Sequence, residues 1–279
     1  MKRVAAVLLA AAVAAAARSA DWRPDISLVA RWNSNAANAD RAADEIGALE
    51  LQASAEVFAT RIALGRDDAL FLSAGVALDA WPRFDQLGSI GAGPRLSWQH
   101  KFGLGALAPV LRVEFTADAV DARNEERSGL AGSGRALWQR RFESGLQLTL
   151  SYERTRRHAR DALYNQTAGE AAAGISYDLG ELWTLAVKTS WRRGDVLSYA
   201  IPPRPDLVAL ARDRDTVDTF GQPRVAYSLE ARSLGGAVAV TRSIDDRTAL
   251  TWGYEYRVTE RSPLRYRNHL VSAGVSRQF

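Results

Sequence analysis

The sequence has no cysteine and a single methionine among its 279 residues. Without cysteine, disulfide bonds and cysteine-ligated metal sites are excluded. Beyond the first 20 residues there is no apolar run of about 18 residues, so no transmembrane helix is expected there. Hydrophobic residues nevertheless make up 47% of the chain, with a mean hydropathy of -0.20. The apolar residues must therefore be dispersed along the chain.

The one long apolar run is N-terminal and has the plan of a secretory signal peptide. A basic Met-Lys-Arg start precedes 14 apolar residues, Val4 to Ala17, and small residues follow. This run is shorter than the roughly 20 residues that span a bilayer, although a membrane anchor or a buried helix is the alternative. We predict a signal peptide over 1–20, cleaved after Ala17 or Ala20, and one domain over 21–279.

Export changes the charge balance. Of the 36 basic residues, Lys2, Arg3 and Arg18 lie in the predicted signal peptide, which leaves 33 basic against 32 acidic residues. The sequence pI of about 9.6 therefore gives no reason to expect nucleic-acid binding.

The rest of the chain alternates between apolar and polar residues with a period of two. In 248–261, Leu250 and Trp252 share one face with further apolar residues, while polar residues take the other, and 146–155 and 182–192 behave alike. This alternation is typical of a β-strand with one apolar face. Parity breaks near Val57-Phe58 and near Ser233-Leu234, and a β-bulge is a candidate explanation at each place.

Twelve such strands are predicted: 25–34, 47–64, 69–82, 88–101, 108–121, 129–142, 145–159, 167–179, 182–194, 224–244, 248–261 and 268–279. Short connections at 65–68, 102–109, 143–145, 180–182 and 245–247 alternate with longer polar ones at 35–46, 83–87, 122–128, 160–166, 195–223 and 262–267. This pattern predicts an all-β fold, a transmembrane antiparallel up-and-down β-barrel of about 12 strands. A soluble sandwich is the alternative, but its strands average about five or six residues.

In these features the chain resembles bacterial outer-membrane β-barrel proteins, porin-like and of about twelve strands, without a close family match. The most specific part is the ending HLVSAGVSRQF, because such barrels typically finish on an aromatic residue that the assembly machinery recognises. Phe279, Val275, Ala273 and Val271 fit that ending, whereas Arg277 departs from it. The resemblance implies export through the periplasm to the cell outer membrane, with both termini on the periplasmic side. It also implies contact with outer-membrane lipid and lipopolysaccharide, assembly by the barrel machinery through Phe279, a monomer and no cofactor or metal.

The polar face of the strands would line the lumen. Ten basic and nine acidic residues fall on that face by parity, so its charges nearly cancel. We expect a water-filled interior, and the favoured function is a small porin or channel for passive passage of small polar or charged solutes. The pore-lining candidates are Arg31, Arg95, Arg112, Glu114, Arg135, Lys188, Arg192, Glu230, Arg232, Glu255 and Arg257.

Two other classes of function remain open. One is a structural, assembly or secretion barrel without an open pore. The other is a lipid-modifying enzyme, which the sequence disfavours because none of His100, His158 and His269 is followed two residues later by serine. The longest connection, 195–223, is expected to form either a constriction inside the barrel or an external flap or flexible loop, with a short amphipathic helix over 206–215.

Overall fold

A computed structural model describes residues 24–279, and these form an almost entirely β structure. The strands are β1 (Pro24–Asn33), β2 (Ala48–Ala63), β3 (Asp68–Ala80), β4 (Ser89–Lys101), β5 (Val110–Ala122), β6 (Gly129–Arg141), β7 (Leu146–Ala159), β8 (Gln166–Asp178), β9 (Trp183–Ala200), β10 (Asp213–Val217), β11 (Arg224–Ser243), β12 (Thr248–Arg261) and β13 (Leu264–Gln278). The only α-helix among these residues is α1 (Pro205–Val208), and short 3-10 helices cover Ala42–Asp44, Asp85–Leu87, Glu125–Arg127 and Ala162–Tyr164. The predicted signal peptide lies outside the described residues.

Twelve of these strands close into an antiparallel ring, as the sequence predicted. Neighbours in the chain are neighbours in the sheet, β1 pairs with β13, and β9 pairs with β11, so the ring has no free edge. Only β10 stands outside the ring, where it pairs with the start of β11. No helix within residues 24–279 is long and apolar enough to cross a membrane.

The connections differ at the two ends of the ring. At one end, the turn end, lie 64–67, 102–109, 142–145, 179–182 and 244–247, together with residue 24 and the C-terminus. At the other end, the loop end, lie 34–47, 81–88, 123–128, 160–165, 201–223 and 262–263. The predicted alternation of turns and loops is therefore confirmed, except that β13 begins at Leu264 and leaves only a tight turn before it.

The two predicted breaks in parity have different outcomes. The pairing of β2 with β3 shifts register between Phe58 and Thr60, so the bulge predicted near Val57-Phe58 is confirmed. The pairing of β11 with β9 runs without a shift through Ser233 and Leu234, so the second bulge was wrong. Ser233 points inward, where its hydroxyl forms a 2.8 Å hydrogen bond with that of Thr259.

The outside of the ring is apolar. Leu28, Phe115, Leu150 and Val271, for example, expose between 45% and 57% of their surface, on the face that points away from the ring. Glycine, alanine and polar side chains dominate the opposite face. A closed ring with an apolar exterior is the only sheet that leaves no unpaired backbone group against lipid.

The C-terminus closes the ring at the turn end. The amide of Phe279 donates a 3.0 Å hydrogen bond to the carbonyl of Pro24, and Val271, Ala273 and Val275 face outward as predicted. Arg277 shares their face, and its guanidinium carbon lies 5.0 Å from the centre of the Phe279 ring. This cation–π contact at the turn end of the barrel explains why an arginine can occupy position 277, where outer-membrane barrels usually have an apolar residue.

We expect the substitution Phe279→Ala to reduce the fraction of protein that folds as a barrel, because it removes both the terminal aromatic and the partner of Arg277. The measurement is the heat-modifiable band on electrophoresis after expression in cells. Phe102→Ala is the matched control, since Phe102 is also an aromatic at the turn end and is exposed to 51%, against 49% for Phe279. Equal loss in the two variants would contradict a specific role for the C-terminus.

Candidate functional site

The inner wall of the ring contains most of the charges that the sequence assigned to it. The face opposite the exposed apolar side chains holds nine of the eleven predicted residues: Arg31, Arg95, Arg112, Glu114, Arg135, Lys188, Arg192, Glu255 and Arg257. They come from six different strands, so the charged lining surrounds the lumen rather than forming one patch.

Glu230 and Arg232 were placed in the lumen wrongly. Both share the outward face of β11 with Leu234, which is 61% exposed, because no bulge reverses the parity of that strand. Glu230 accepts a 2.9 Å hydrogen bond from the guanidinium of Arg193, which is also outside the ring. These charges lie at the loop end, where water rather than lipid meets the outer face, so the outward side chains need not be apolar.

Ion pairs compensate most of the inward charges. The nitrogen-to-oxygen distances are 3.6 Å for Arg31–Glu50, 3.5 Å for Arg112–Glu114, 3.2 Å for Lys188–Glu170 and 2.6 Å for Arg257–Glu255. Glu170 was missed, although its alternation with the outward Ala171, Ala173 and Ile175 would have revealed it. Each pair adds little stability because the side chains remain partly exposed, but together they keep the wall close to neutral.

One hydrogen-bonded network of the wall is centred on Arg95. Its Nη1 donates to Glu56 Oε2 at 2.7 Å, and Glu56 Oε1 accepts from the Ser73 hydroxyl at 2.6 Å. Gly75 makes room for the guanidinium, because a Cβ there would lie 2.7 Å from it. The sequence identified Arg95 as inward, but not the glycine that lets it lie flat against the wall.

At the loop end, β9 and β11 continue beyond the ring. The last pair of β9 with β8 is Gly194 with Ala168, and the last pair of β11 with β12 is Arg232 with Glu260. Residues 195–200 and 224–231 therefore form a hairpin that leaves the barrel, and β10 pairs with its free edge on β11. We call residues 34–47 and 195–231 the cap.

The hairpin of the cap reaches across the mouth of the barrel. The amide of Tyr199 donates to the carbonyl of Ala37 at 2.9 Å, and the side chain of Asn38 donates to the carbonyl of Leu197 at 3.0 Å. Residues 34–47 follow β1, and three strands of the ring separate β1 from β9 on this side. The hairpin must cross the opening to make these bonds.

Apolar side chains cover both faces of the crossing hairpin. On one face, Leu197 and Tyr199 pack with Phe84, Leu163 and Tyr164 from other loops of the ring, and Phe220 joins the same cluster. On the other face, Val196, Tyr227 and Leu229 pack with Leu207 of α1 and with Leu264 and Tyr266 of β13. These two buried clusters fasten the cap to loops on several sides of the barrel.

An ionic clamp holds the two segments of the cap together. The side chain of Arg204 is only 1% exposed, and it donates to both oxygens of Asp40 at 2.7 and 3.0 Å and to Asp206 at 2.7 Å. Asp44 accepts from the amide of Ile201 at 3.0 Å, and its backbone carbonyl accepts from Arg224 at 2.9 Å. The hydrogen bonds from Arg204 lower the pKa of Asp206 to about 2.

The connection predicted at 195–223 is therefore an ordered part of the cap. Helix α1 covers four residues only and ends at Val208, whereas the sequence suggested a helix over 206–215, the end of which belongs to β10. The segment is nevertheless amphipathic, because Leu207 is fully buried and Leu210 and Ala211 pack against the same cluster. The connection is packed over the barrel mouth rather than extended away from it.

The three histidines lie outside the lumen. His100 Nδ1 is 3.1 Å from Asp68 at the turn end, His269 Nδ1 is 2.9 Å from the hydroxyl of Tyr254, and His158 shares the outward face of β7. His100 is the penultimate residue of β4, whereas His269 lies inside β13, five residues after its start at Leu264. This placement gives no support to a catalytic use of histidine in the lumen.

Comparison with known proteins gives matches in structure only. No family model and no curated protein matches the sequence. An outer-membrane channel from Pseudomonas putida F1 superposes with a TM-score of 0.60 at 9% identity, over 92% of this chain and 95% of the channel. A NanC porin superposes with a TM-score of 0.50 at 8% identity, over 90% of this chain and 98% of the porin. At such identities the likeness establishes the barrel fold.

We expect the cap to loosen as the pH falls from 4 to 2. The depressed pKa of Asp206 means that its pairing with Arg204 stabilises the cap above the ordinary pKa of an aspartate, about 4, and that this stabilisation is lost as the pH falls through about 2. Pepsin cleavage within 201–223, normalised to a synthetic peptide of that sequence, should increase over this interval.

The variant Asp206→Asn is the control for this titration. It lacks the carboxyl whose pKa is depressed, so its normalised cleavage should exceed that of the wild type at pH 4, and the difference should be lost at pH 2. A wild-type protein as resistant at pH 2 as at pH 4 would contradict a role for the clamp in holding the cap.

Proposed function

We propose that this protein is an outer-membrane channel for passive passage of small polar solutes, with the cap as its gate. The observation that supports it is the inner wall, which is polar and charge-paired inside a closed ring with an apolar exterior. A barrel that served only as a membrane anchor would not need charged side chains from so many strands pointing into one water-filled space.

The orientation follows from the connections. In bacterial outer-membrane barrels the short turns face the periplasm and the long loops face outside. The cap would then cover the external mouth, and Phe279 would lie at the periplasmic interface, where the assembly machinery is expected to bind it.

The wall favours weak discrimination between ions of opposite charge. Four of its arginines have a carboxylate within ion-pair distance: Arg31 with Glu50, Arg95 with Glu56, Arg112 with Glu114 and Arg257 with Glu255. A wall that attracts anions needs basic groups in excess over acidic ones. Selection by size at the cap is therefore the more natural role for this channel than selection by charge.

A barrel without an open pore is the second candidate, and the packing of the cap favours it. Two apolar clusters and the buried Arg204 clamp would hold the mouth closed in the resting protein. The two candidates differ in one respect, which is whether solutes pass once the clamp is weakened.

We expect Arg204→Gln to increase the open fraction of single channels in planar bilayers, because it leaves Asp40 and Asp206 unpaired beside the buried Asp44. Arg265→Gln is the matched control. It removes the same charge, but from an exposed pair with Glu260 on the outer rim, where both side chains are more than half exposed. Its conductance should equal that of the wild type.

The outcomes separate the two candidates. A conductance that increases in Arg204→Gln but not in Arg265→Gln supports a gated channel. The open channel should then discriminate only weakly between potassium and chloride. Silence of both the wild type and Arg204→Gln, in samples that fold by heat modifiability, would contradict the channel and favour the closed structural barrel.

Localisation has a separate test. The full chain expressed in a Gram-negative host should fractionate with the outer membrane, and its mature N-terminus should begin after Ala17 or Ala20. Recovery as a soluble periplasmic protein would rule out the membrane barrel and the channel together.

A further inference from the structure

Two guanidinium groups on the outer face of β7 have no partner. Arg154 and Arg156 follow Leu150 and Tyr152 on the lipid-facing side of the strand. Neither forms an ion pair or a hydrogen bond with any residue of 24–279. By contrast, the outward Arg193 and Arg265 each have a carboxylate at 2.9 Å.

The surroundings of this pair form a groove rather than a flat surface. On neighbouring strands, Gly134 faces Arg154 on one side and Gly169 faces it on the other, while Gly132 faces Arg156. Gly132 and Gly134 leave a shallow floor, and the groove has a volume of about 540 Å³. Its apolar walls include Phe115 and Leu130, which are 57% and 64% exposed, and His158 lies at its upper end.

The height of the pair along the barrel matches the upper border of the apolar band. Arg154 lies eight residues beyond Leu146, the first residue of β7. A tilted strand rises about 2.5 Å per residue along the barrel axis, which places Arg154 about 20 Å and Arg156 about 25 Å above the turn end. Trp191, eight residues into β9, marks the aromatic girdle at a similar height.

We propose that this groove binds the phosphate of an anionic lipid in the outer leaflet, a phosphorylated glycolipid of the lipid A type. The inference rests on the membrane orientation given above. Arg154 and Arg156 would bind phosphate oxygens, and acyl chains would lie over the glycine floor against Phe115 and Leu130.

Charge and geometry favour this occupant. The outward positions that face Arg154 and Arg156 across the sheet are Gly134, Gly132, Gly169 and Thr167, so no side chain there neutralises the guanidiniums. A guanidinium binds phosphate with two parallel hydrogen bonds, and such charge-assisted bonds strengthen where water is scarce. A zwitterionic lipid would supply less net negative charge, and an open-ended groove with apolar walls suits acyl chains better than a free anion.

The test is native mass spectrometry of the whole folded protein in mild detergent, titrated with bisphosphorylated lipid A. Arg154→Gln/Arg156→Gln should weaken retention by about tenfold or more, since each charge-assisted bond contributes about a factor of ten. Arg265→Gln/Arg267→Gln is the matched control, because it removes two outward arginines of β13 and should bind like the wild type. Arg154→Lys/Arg156→Lys keeps the charge and should bind with intermediate affinity.

Several outcomes would overturn the inference. If the glutamine variant and the control retain equal amounts of lipid A, these arginines bind no lipid phosphate and only extend toward the aqueous boundary. Equal retention of dephosphorylated lipid A means that acyl chains alone are bound, and displacement by millimolar inorganic phosphate means a free-anion site. All variants are first checked for heat modifiability. If the protein conducts in bilayers but its binding of lipid A does not depend on these arginines, the lipid site is contradicted and the proposed channel is not.

Discussion

The need to pair every backbone amide and carbonyl within the bilayer is the constraint on which the whole structure depends. A sheet meets it only by closing, and here β1 and β13 close it through nine residue pairs and the bond from Phe279 to Pro24. Closure fixes which side chains face lipid and which face the lumen. The polar wall, the apolar exterior and the position of the cap all follow from that ring.

The ring is also the part of the molecule that the sequence predicts well. Wherever lipid meets one face, alternation has a physical cause, so twelve strands, the bulge after Phe58 and nine inward charges could be identified. Glu230 and Arg232 could not, because they lie on β11 above the lipid, where both faces of the strand meet water or protein. There the polarity of a side chain no longer shows whether it faces the lumen or the outside, although the side chains continue to alternate between the two faces through Ser233.

The cap could not be predicted from the sequence for a related reason. Its hairpin crosses the mouth and is buried on both faces, so the apolar residues of 195–200 follow one another instead of alternating. Val196, Leu197 and Tyr199 are a signal of two-sided burial. What they pack against comes from loops far apart in the chain, and the Arg204 clamp joins residues 164 positions apart. No local pattern encodes such contacts.

Charge is arranged differently on the two sides of the wall, and the difference bears on how the barrel would work. In the lumen, arginines such as Arg95 have a carboxylate within ion-pair distance on the same wall, and the water there screens whatever remains. Where the charges are paired in this way, the wall offers solutes little electrostatic preference. The only place where the described chain narrows the path with buried, specific contacts is the cap. In the proposed channel, control of passage would therefore come from whether the cap is closed, and the free energy that holds it closed comes from its two apolar clusters together with the Arg204 clamp.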